Sequence, residues 1–302
     1  LQTGDVGFII NSTLDVTGTQ FISNTAAGGN GGGIALACNS SAICGASLTD
    51  ATFSRNSAAT GGGGLYVEQI ASLPIVNTHF ISNTAQNGKG GGAWANYSNA
   101  TLTGSVFEGN TAKQDGGGIY VMYALTATDT VFSNNASQAN GGGAYNNTGR
   151  AALTRGSFGG NRAGLGGGLF TYGPSLSMTG TQFLSNTAAS NGGGVYLNFY
   201  GALTNTVFSA NSASQDGGGI ASAIGPLNIW QTRFVANRAA RGGGAAPGSG
   251  SATWIINSLF DRNVASTTLG SALFITRPYP IKLTHLTIAS PTLGSGSAIY
   301  VY

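Results

Sequence analysis

Three consecutive glycines occur nine times along the 302 residues, about every 26 residues. A second pattern recurs in fixed phase with these runs, a Phe followed three residues later by an Asn. Self-similarity at a period of roughly 20–50 residues is the signature of a solenoid, a propeller or an array. Because the repeat covers nearly the whole chain, residues 1–302 are predicted to form one domain without separate caps. The glycine runs end at Gly33, Gly64, Gly92, Gly118, Gly143, Gly168, Gly194, Gly219 and Gly244.

The Phe and Asn positions define the period, since successive Phe residues lie 25–27 residues apart after a first interval of 32. We interpret Leu286 and Ala289 as the same two positions in a degenerate last copy. The intact pairs are Phe21/Asn24, Phe53/Asn56, Phe80/Asn83, Phe107/Asn110, Phe132/Asn135, Phe158/Asn161, Phe183/Asn186, Phe208/Asn211, Phe234/Asn237 and Phe260/Asn263.

Each unit contains three short stretches in which every second residue is apolar, and turn-forming residues separate them. This pattern predicts an all-β fold, a single parallel β-helix (β-solenoid) of about 11 coils with three short strands per coil. A helical repeat is excluded, because each Gly of the runs would cost about 1 kcal/mol inside a helix. The period excludes a β-propeller, whose blades need about 40–50 residues.

In a stacked β-helix each repeated residue lies about 4.8 Å from its copy in the next coil. We therefore expect the Phe side chains to stack in the core and the Asn side chains to form a hydrogen-bonded ladder at a corner. The Gly runs are expected at another corner, where a positive φ or a close backbone approach excludes a side chain. The middle of this ladder consists of Phe107, Asn110, Phe132, Asn135, Phe183 and Asn186.

The combination of Phe-x-x-Asn with a Gly run and a following aliphatic residue resembles the repeat of the chlamydial polymorphic outer-membrane proteins. Here the second motif is more often Gly-Gly-Gly than the Gly-Gly-Ala of that family. The resemblance extends over about ten of the eleven predicted coils. It implies a right-handed β-helix that is exposed at the cell surface, in proteins implicated in adhesion and in self-association into fibres.

The charge content is low for a soluble domain, with 12 Lys and Arg, 9 Asp and Glu, and a net charge of +3. So few, dispersed charges exclude a nucleic-acid surface and a polybasic membrane patch. The sequence has no run of about 18 apolar residues, so we expect no direct membrane insertion by a helix.

Cys38 and Cys44 lie within an insert of the longest unit. A disulfide between them would indicate an oxidising compartment, and two free thiols are the alternative. With the resemblance, this favours a secreted or cell-surface protein. The candidate N-glycosylation sites, which carry the Asn-x-Ser/Thr sequence, are Asn11, Asn39, Asn96, Asn99 and Asn146. Asn135 has the same sequence but belongs to the predicted ladder.

Parallel β-helices often cleave polysaccharides, so a polysaccharide lyase or hydrolase is the enzymatic alternative. Glycoside hydrolysis needs two carboxylates about 5–10 Å apart. Asp115 and Asp216 share a phase but lie four coils apart, about 19 Å by strand spacing. The two histidines, His79 and His285, are far apart in the sequence. We therefore expect no enzyme, no catalytic residue, no metal site and no cofactor.

An aromatic residue occupies the middle of the strand after the Gly run in six successive units. Its aliphatic neighbours are predicted to face the core, so alternation turns the aromatic rings outward. Six exposed rings in one column suit protein contact or sugar stacking, and mutual stabilisation of the sheet is the alternative. This predicted surface stripe consists of Tyr66, Trp94, Tyr120, Tyr145, Phe170 and Tyr196.

Both ends of the sequence are predicted to occupy the same strand of the coil, without a helix or a charged loop to cap them. Open strand edges are templates for pairing, so copies of the chain are expected to stack head to tail as a filament. Excision from a longer solenoid is the alternative. The residues of this predicted contact are Phe8, Ile9, Ile10, Ile299, Tyr300 and Val301.

These observations predict an extracellular structural β-solenoid whose partner is itself, in a head-to-tail homopolymer. The first alternative is an adhesin segment that binds glycans or surface proteins through the aromatic stripe. The second is the polysaccharide-degrading enzyme.

Overall fold

The computed structural model describes residues 7–9, 13–38, 44–248, 252–276, 280–289 and 296–302. These residues form a parallel β-solenoid with no helix among them, and the predicted fold class is confirmed. Along the chain each coil contributes one strand to each of four sheets, which we name A to D. The sheets run along the whole axis because each strand pairs in parallel with the strand one coil away.

Sheet A follows the Gly runs and contains twelve strands. Its strands are Gly7–Ile9, Ile34–Cys38, Leu65–Glu68, Ala93–Asn96, Ile119–Val121, Ala144–Asn146, Leu169–Thr171, Val195–Leu197, Ile220–Ser222, Ala245–Ala246, Leu273–Ile275 and Ile299–Val301. Sheet B comes next in the coil and contains eleven strands. These are Thr13–Thr17, Gly45–Thr49, Leu73–Val76, Ala100–Thr103, Leu125–Thr128, Ala151–Thr154, Ser175–Thr179, Tyr200–Thr204, Leu227–Trp230, Thr253–Ile256 and Ile281–Thr284.

Sheet C carries the repeated Phe at the centre of its eleven strands. These are Gln20–Ile22, Thr52–Ser54, His79–Ile81, Val106–Glu108, Val131–Ser133, Ser157–Gly159, Gln182–Leu184, Val207–Ser209, Arg233–Val235, Leu259–Asp261 and Thr287–Ala289. Sheet D follows the repeated Asn, and most of its ten strands have two residues. These are Thr25–Ala26, Ser57–Ala58, Thr84–Ala85, Thr111–Ala112, Ala136–Ser137, Arg162–Ala163, Thr187–Ala188, Ser212–Ala213, Arg238–Arg241 and Val264–Leu269.

Sheet D corrects the prediction of three strands per coil. A strand of two residues spans a single period of alternation and cannot show a repeat, so the sequence pattern did not reveal it. The coil count also differs slightly from the predicted eleven, because the sheets do not all contain eleven strands: sheet A has twelve and sheet D has ten. The main prediction, a single stacked parallel solenoid, is unaffected.

The repeated Phe side chains stack in one continuous column inside the solenoid. Ring centroids in neighbouring coils lie 4.5–5.1 Å apart, and the ring planes differ by 2–12°. The rings from Phe53 to Phe260 are buried. Aliphatic residues of sheets A and B, such as Leu102 and Ile119, complete the core. Burial of so many rings is a major source of stability for a chain with few charges.

The repeated Asn side chains form the predicted ladder at the corner between sheets C and D. The backbone N–H and the Nδ2 of Asn110 both donate to Oδ1 of Asn135, at 3.0 and 2.9 Å. The same Nδ2 donates to the carbonyl oxygen of Phe80 in the preceding coil at 2.8 Å. This arrangement repeats from Asn56 to Asn237, so each buried amide is hydrogen-bonded to the coils on both sides.

The three glycines of a run are required for three different reasons, as the run at Gly116–Gly118 shows. Gly116 has a φ of +72°, a conformation that residues with a Cβ adopt only at a cost. A Cβ on Gly117 would lie 2.3 Å from the carbonyl oxygen of Gly142 in the next coil. A Cβ on Gly118 would lie 2.4 Å from the carbonyl oxygen of Gly143. The predicted corner of positive φ and close backbone approach is confirmed here.

The last copy has a different register from the one predicted. Ile288, not Leu286, pairs with Phe260 in sheet C, and Ala289 pairs with Asp261. The cause is a register shift in sheet D, where Arg241 pairs with Leu269 although Ala239 pairs with Ala265. Two extra residues in that strand delay the next coil by the same amount.

Candidate binding surface

The predicted aromatic stripe forms a continuous column on the outer face of sheet A. Tyr66, Trp94 and Tyr120 are paired in register across neighbouring strands, and the pairing continues through Tyr145 and Phe170 to Tyr196. Tyr120, Tyr145 and Phe170, with Trp94 and Tyr196 packed against them, form a cluster separate from the main core. Alternation therefore turns them out of the core, as predicted.

The prediction that these six rings are exposed is wrong. Tyr66, Tyr120, Tyr145 and Phe170 are buried, and only 2% of Tyr120 is accessible to solvent. Trp94 and Tyr196 are half-buried. The rings cover one another, since Tyr120 and Tyr145 stack with centroids 5.0 Å apart and Tyr145 and Phe170 at 4.8 Å. We call this set the buried aromatic column.

Trp94 explains why one glycine run has four members. Its ring is edge-on to Tyr66 and Tyr120, with interplanar angles of 77° and 81°. The indole passes over Gly61, where a Cβ would lie 2.3 Å from Cε3 of Trp94. Its Nε1 is the one buried side-chain nitrogen or oxygen without a hydrogen-bond partner among the described residues. The additional glycine therefore makes room for the larger ring.

Polar residues that precede the Gly runs border the buried aromatic column. Nζ of Lys89 lies 4.3 Å from the ring centroid of Tyr120 and 3.9 Å from Oδ2 of Asp115. Asp115 also accepts a hydrogen bond of 3.0 Å from Nδ2 of Asn140. Burial raises the pKa of the Asp115 carboxyl, and Lys89 and Asn140 oppose this shift. Burial also raises the pKa of the Tyr120 hydroxyl to about 12.

Exposed aromatic and apolar side chains lie on the corner between sheets A and B. Tyr172 is 48% exposed and Ile224 is 53% exposed. Tyr97 and Tyr123 are in edge-to-face contact at 6.2 Å, and Tyr172 and Phe199 are in the same contact at 6.0 Å. We call this surface the aromatic ridge. It consists of Tyr97, Tyr123, Tyr172, Phe199, Tyr200 and Ile224.

The sequence analysis missed the aromatic ridge, although the sequence contains a signal for it. Tyr97, Tyr123 and Phe199 each lie three residues after a member of the buried aromatic column. Three residues after the middle of a strand of three or four residues, the chain has entered the corner, where side chains point into solvent. The repeated spacing was therefore visible, but its meaning depended on where the strand ends.

Four residues of the aromatic ridge line a groove of about 580 Å³, namely Tyr172, Phe199, Tyr200 and Ile224. Pro174 and Pro226 form part of its wall and fix the backbone of the corner. The hydroxyl of Tyr200 accepts a hydrogen bond of 3.3 Å from Nδ2 of Asn228. Flat rings together with hydroxyl groups of Tyr and Thr148 suit a ligand that has both apolar faces and polar edges.

A second, more polar groove of about 510 Å³ lies along sheet D. Its floor contains small residues of neighbouring strands, such as Ala112 and Ala163, and its rim contains Lys113 and Arg162. It has no aromatic residue in its lining. Stacking interactions therefore distinguish the groove at the aromatic ridge from this one.

Cys38 and Cys44 form a disulfide bond, as the sequence favoured.

Of the candidate glycosylation sites, Asn146 is fully buried and donates to the carbonyl oxygen of Tyr123, so that assignment is wrong for the folded chain. Asn96 is half-buried, and its Nδ2 donates to Oε1 of Glu68 at 2.9 Å. Asn99 is half-buried and its Nδ2 donates to the carbonyl oxygen of Ala71. Asn11 and Asn39 lie outside the described residues.

The residues of the predicted head-to-tail contact are only partly described. Strands Gly7–Ile9 and Ile299–Val301 lie at opposite edges of sheet A, but Ile10 and the side chains of Phe8 and Ile9 are outside the description. Tyr300 pairs with Phe274, as the predicted phase requires. The repeat places Gly7 in the phase of the last glycine of a run, such as Gly64. Instead Gly7 pairs with Leu36, which pairs with Val67, three residues further along the coil.

Two aspartates form bidentate ion pairs with arginines of the next coil. Asp129 and Arg155 form a bidentate ion pair at the surface, and both side chains are exposed to solvent. Asp216 forms a second bidentate pair with Arg241 at 2.6 and 2.7 Å. His285 lies in a corner turn with a φ of +52°. In the described ranges no three His, Cys, Asp or Glu side chains are grouped as a metal site would require.

The structure is a parallel β-solenoid that carries the exposed aromatic ridge on its outer surface. The family model of the Chlamydia polymorphic membrane protein repeat matches residues 50–68 and 104–122. Each match begins at the turn before the repeated Phe and ends at or one residue after the end of a strand of sheet A. The chain therefore carries this repeat, which confirms the resemblance. No curated protein and no solved structure gave a significant match. The described part of the chain contains no helix of the length and hydrophobicity needed to span a membrane.

Proposed function

We propose that this chain is a surface-displayed β-solenoid passenger that binds glycans through the aromatic ridge. The repeat and the solenoid fold both fit a surface location. The disulfide between Cys38 and Cys44 supports an oxidising, extracellular compartment. The observation that carries the binding role is the exposed aromatic ridge with its groove of about 580 Å³.

Glycans fit the groove better than a purely apolar ligand. Sugar rings present C–H faces that pack on aromatic rings, and their hydroxyl groups need hydrogen-bond partners at the rim. Tyr172, Tyr200 and Thr148 supply hydroxyl groups beside the ring of Phe199. Rings exposed on successive coils also suit a polymer that lies along the solenoid axis.

The proposal assigns binding without catalysis to this surface. The exposed ridge residues are aromatic or aliphatic, and no carboxylate is present in the lining of its groove. Release of reducing ends or of unsaturated products from any bound polysaccharide would contradict this part of the proposal. Head-to-tail assembly into a filament remains a separate prediction, which electron microscopy of the purified chain tests: monodisperse short rods would contradict it.

A glycan array with the wild-type chain and the Tyr172→Ser/Phe199→Ser double variant tests the proposal. We expect the wild type to bind at least one class of glycan and the double variant to lose at least about tenfold in affinity. Ile22→Ser is the matched control, because Ile22 is an exposed apolar residue of sheet C, away from the ridge. Unchanged binding by the double variant, or the absence of any bound glycan, would overturn the proposal.

A further inference from the structure

The buried aromatic column is interrupted for two coils. Tyr196 pairs with Ala221, and Ala221 pairs with Ala246, so two alanines take the places of rings. The column then resumes with Phe274, which stacks on Tyr300 with centroids 5.8 Å apart. At a strand spacing of about 4.8 Å, the rings of Tyr196 and Phe274 are separated by three steps instead of one.

A cavity occupies this interruption. It has a volume of about 200 Å³, and its lining includes Tyr196 at one end, Phe274 at the other and the two alanines between them. An apolar cavity of about 150 Å³ is large enough for benzene. The space is therefore large enough for one six-membered aromatic ring with a small substituent, and polar side chains contribute to its lining.

Polar groups at the edge of the cavity favour a ligand ring whose substituent forms hydrogen bonds. Asn191 and Asp216 are part of the lining, and Oδ1 of Asn191 accepts a hydrogen bond from the backbone N–H of Asp216 at 2.9 Å. The Asp216 carboxylate is held by Arg241, whose guanidinium carbon lies 4.7 Å from the ring centroid of Phe274. These groups are fixed before any ligand enters, and a carboxylate oxygen can accept a further hydrogen bond.

We propose that this cavity is a binding site for a small phenolic molecule, whose ring takes a missing place in the column. The phenol ring stacks on Tyr196 in the place that Ala221 leaves without a ring, and its hydroxyl group donates to Asp216. The site is distinct from the aromatic ridge and does not depend on the glycan-binding role proposed above.

Phenol itself is the probe, and cyclohexanol is the control ligand, because it has a similar size and the same hydroxyl group but no aromatic ring. The affinities of phenol and cyclohexanol for the intact chain are measured by saturation-transfer NMR and calorimetry. We expect phenol to bind at least about tenfold more tightly than cyclohexanol, since only phenol can stack. Equal affinities, or no detectable binding of phenol, would overturn the proposal.

The variant Ala221→Phe fills the missing place and is expected to abolish phenol binding. Ala152→Phe is the matched control, since Ala152 lies on the outer face of sheet B and is half-exposed. We expect it to leave phenol binding unchanged. Circular dichroism shows whether Ala221→Phe folds. If it does not, Ala246→Phe tests the same space. Retained phenol binding in a folded filling variant would overturn the assignment to this cavity.

Discussion

Oδ1 of Asn135 accepts two hydrogen bonds from Asn110, one from the backbone N–H and one from the side-chain amide. The second hydrogen of that amide is donated to Phe80 in the opposite direction. A single side chain thus connects three successive coils. An amide is the one side-chain group that combines an acceptor oxygen and a two-hydrogen donor in this geometry, which explains why Asn recurs here.

The ladder predicts a large cost for Asn110→Ala. The change removes the donor to the carbonyl oxygen of Phe80 and the acceptor of the backbone N–H and of one side-chain hydrogen of Asn83, and each unpaired buried group costs about 1–3 kcal/mol. We expect the free energy of unfolding to fall by about 3 kcal/mol, measured by denaturant titration. Asn87→Ala is the control, because the side chain of Asn87 makes one exposed hydrogen bond, and this variant should lose less than about 1 kcal/mol. Equal losses in the two variants would contradict the ladder.

The Gly runs predict opposite outcomes for two Gly→Ala substitutions. In Gly117→Ala the new Cβ meets two backbone oxygens at 2.3 and 2.5 Å, so neighbouring coils must separate. We expect a loss of more than about 3 kcal/mol in the free energy of unfolding. Gly28→Ala introduces a Cβ with nothing within 4 Å and should be neutral or slightly stabilising. Thermal unfolding compares them, and a tolerated Gly117→Ala would show that the corner is not as close as described.

A stabilising substitution is expected at Ala210. This residue is exposed and has a φ of +56°, in the left-handed region that costs a non-glycine residue about 1–2 kcal/mol. Ala210→Gly should therefore raise the free energy of unfolding by about 1 kcal/mol. Ala202→Gly, in the middle of a strand of sheet B, should lower it by about 0.5–1 kcal/mol. A destabilised Ala210→Gly variant would contradict the turn geometry.

The contributions of Asp115 and Asp129 to stability are expected to change with pH in opposite directions. Burial raises the pKa of Asp115 above its ordinary value, so protonation favours the folded state. The stability of the wild type relative to Asp115→Asn should rise as the pH falls through this raised pKa, and should level off below the ordinary value. The hydrogen bond from Arg155 lowers the pKa of Asp129, so the ionised form favours folding.

The contribution of Asp129 should be complete above the ordinary pKa of an aspartate and should disappear as the pH falls through the lowered one. The difference between the wild type and Asp129→Asn therefore shrinks on acidification, whereas the difference for Asp115→Asn grows in favour of the wild type. Denaturant titrations from about pH 7 to about pH 2.5 measure both. If the two stability differences changed in the same direction with pH, the environments assigned to Asp115 and Asp129 would be contradicted.

The repeated residues were predictable because each has one physical role in every coil. Phe and Asn recur in fixed phase, and the stacked rings of Phe107 and Phe132 and the amide contacts of Asn110 follow from strand spacing alone. The shift of Ile288 into the Phe position was not predictable, because it depends on two extra residues in strand Val264–Leu269. Those residues lengthen a strand of sheet D, where most strands have two residues and no alternation can be read.

The binding surface was harder to predict than the fold. Alternation shows that Tyr120 points away from the core, but it does not show that neighbouring rings and Lys89 cover it. Conversely, Tyr172 lies beyond the strand, where no alternation applies, and it is exposed. Burial on an outer sheet face depends on residues from several coils, and exposure at a corner depends on where each strand ends.

The central claim is that the accessible aromatic surface is the aromatic ridge and not the buried aromatic column. Nitration of the native chain with tetranitromethane, mapped by mass spectrometry, tests this claim directly, because the reagent modifies accessible, ionisable tyrosines. We expect modification of Tyr97, Tyr123, Tyr172 and Tyr200, and protection of Tyr66, Tyr120 and Tyr145, whose hydroxyl pKa values are raised by burial. Modification of the column tyrosines at the same rate as the ridge tyrosines, in a chain that remains folded, would contradict the account.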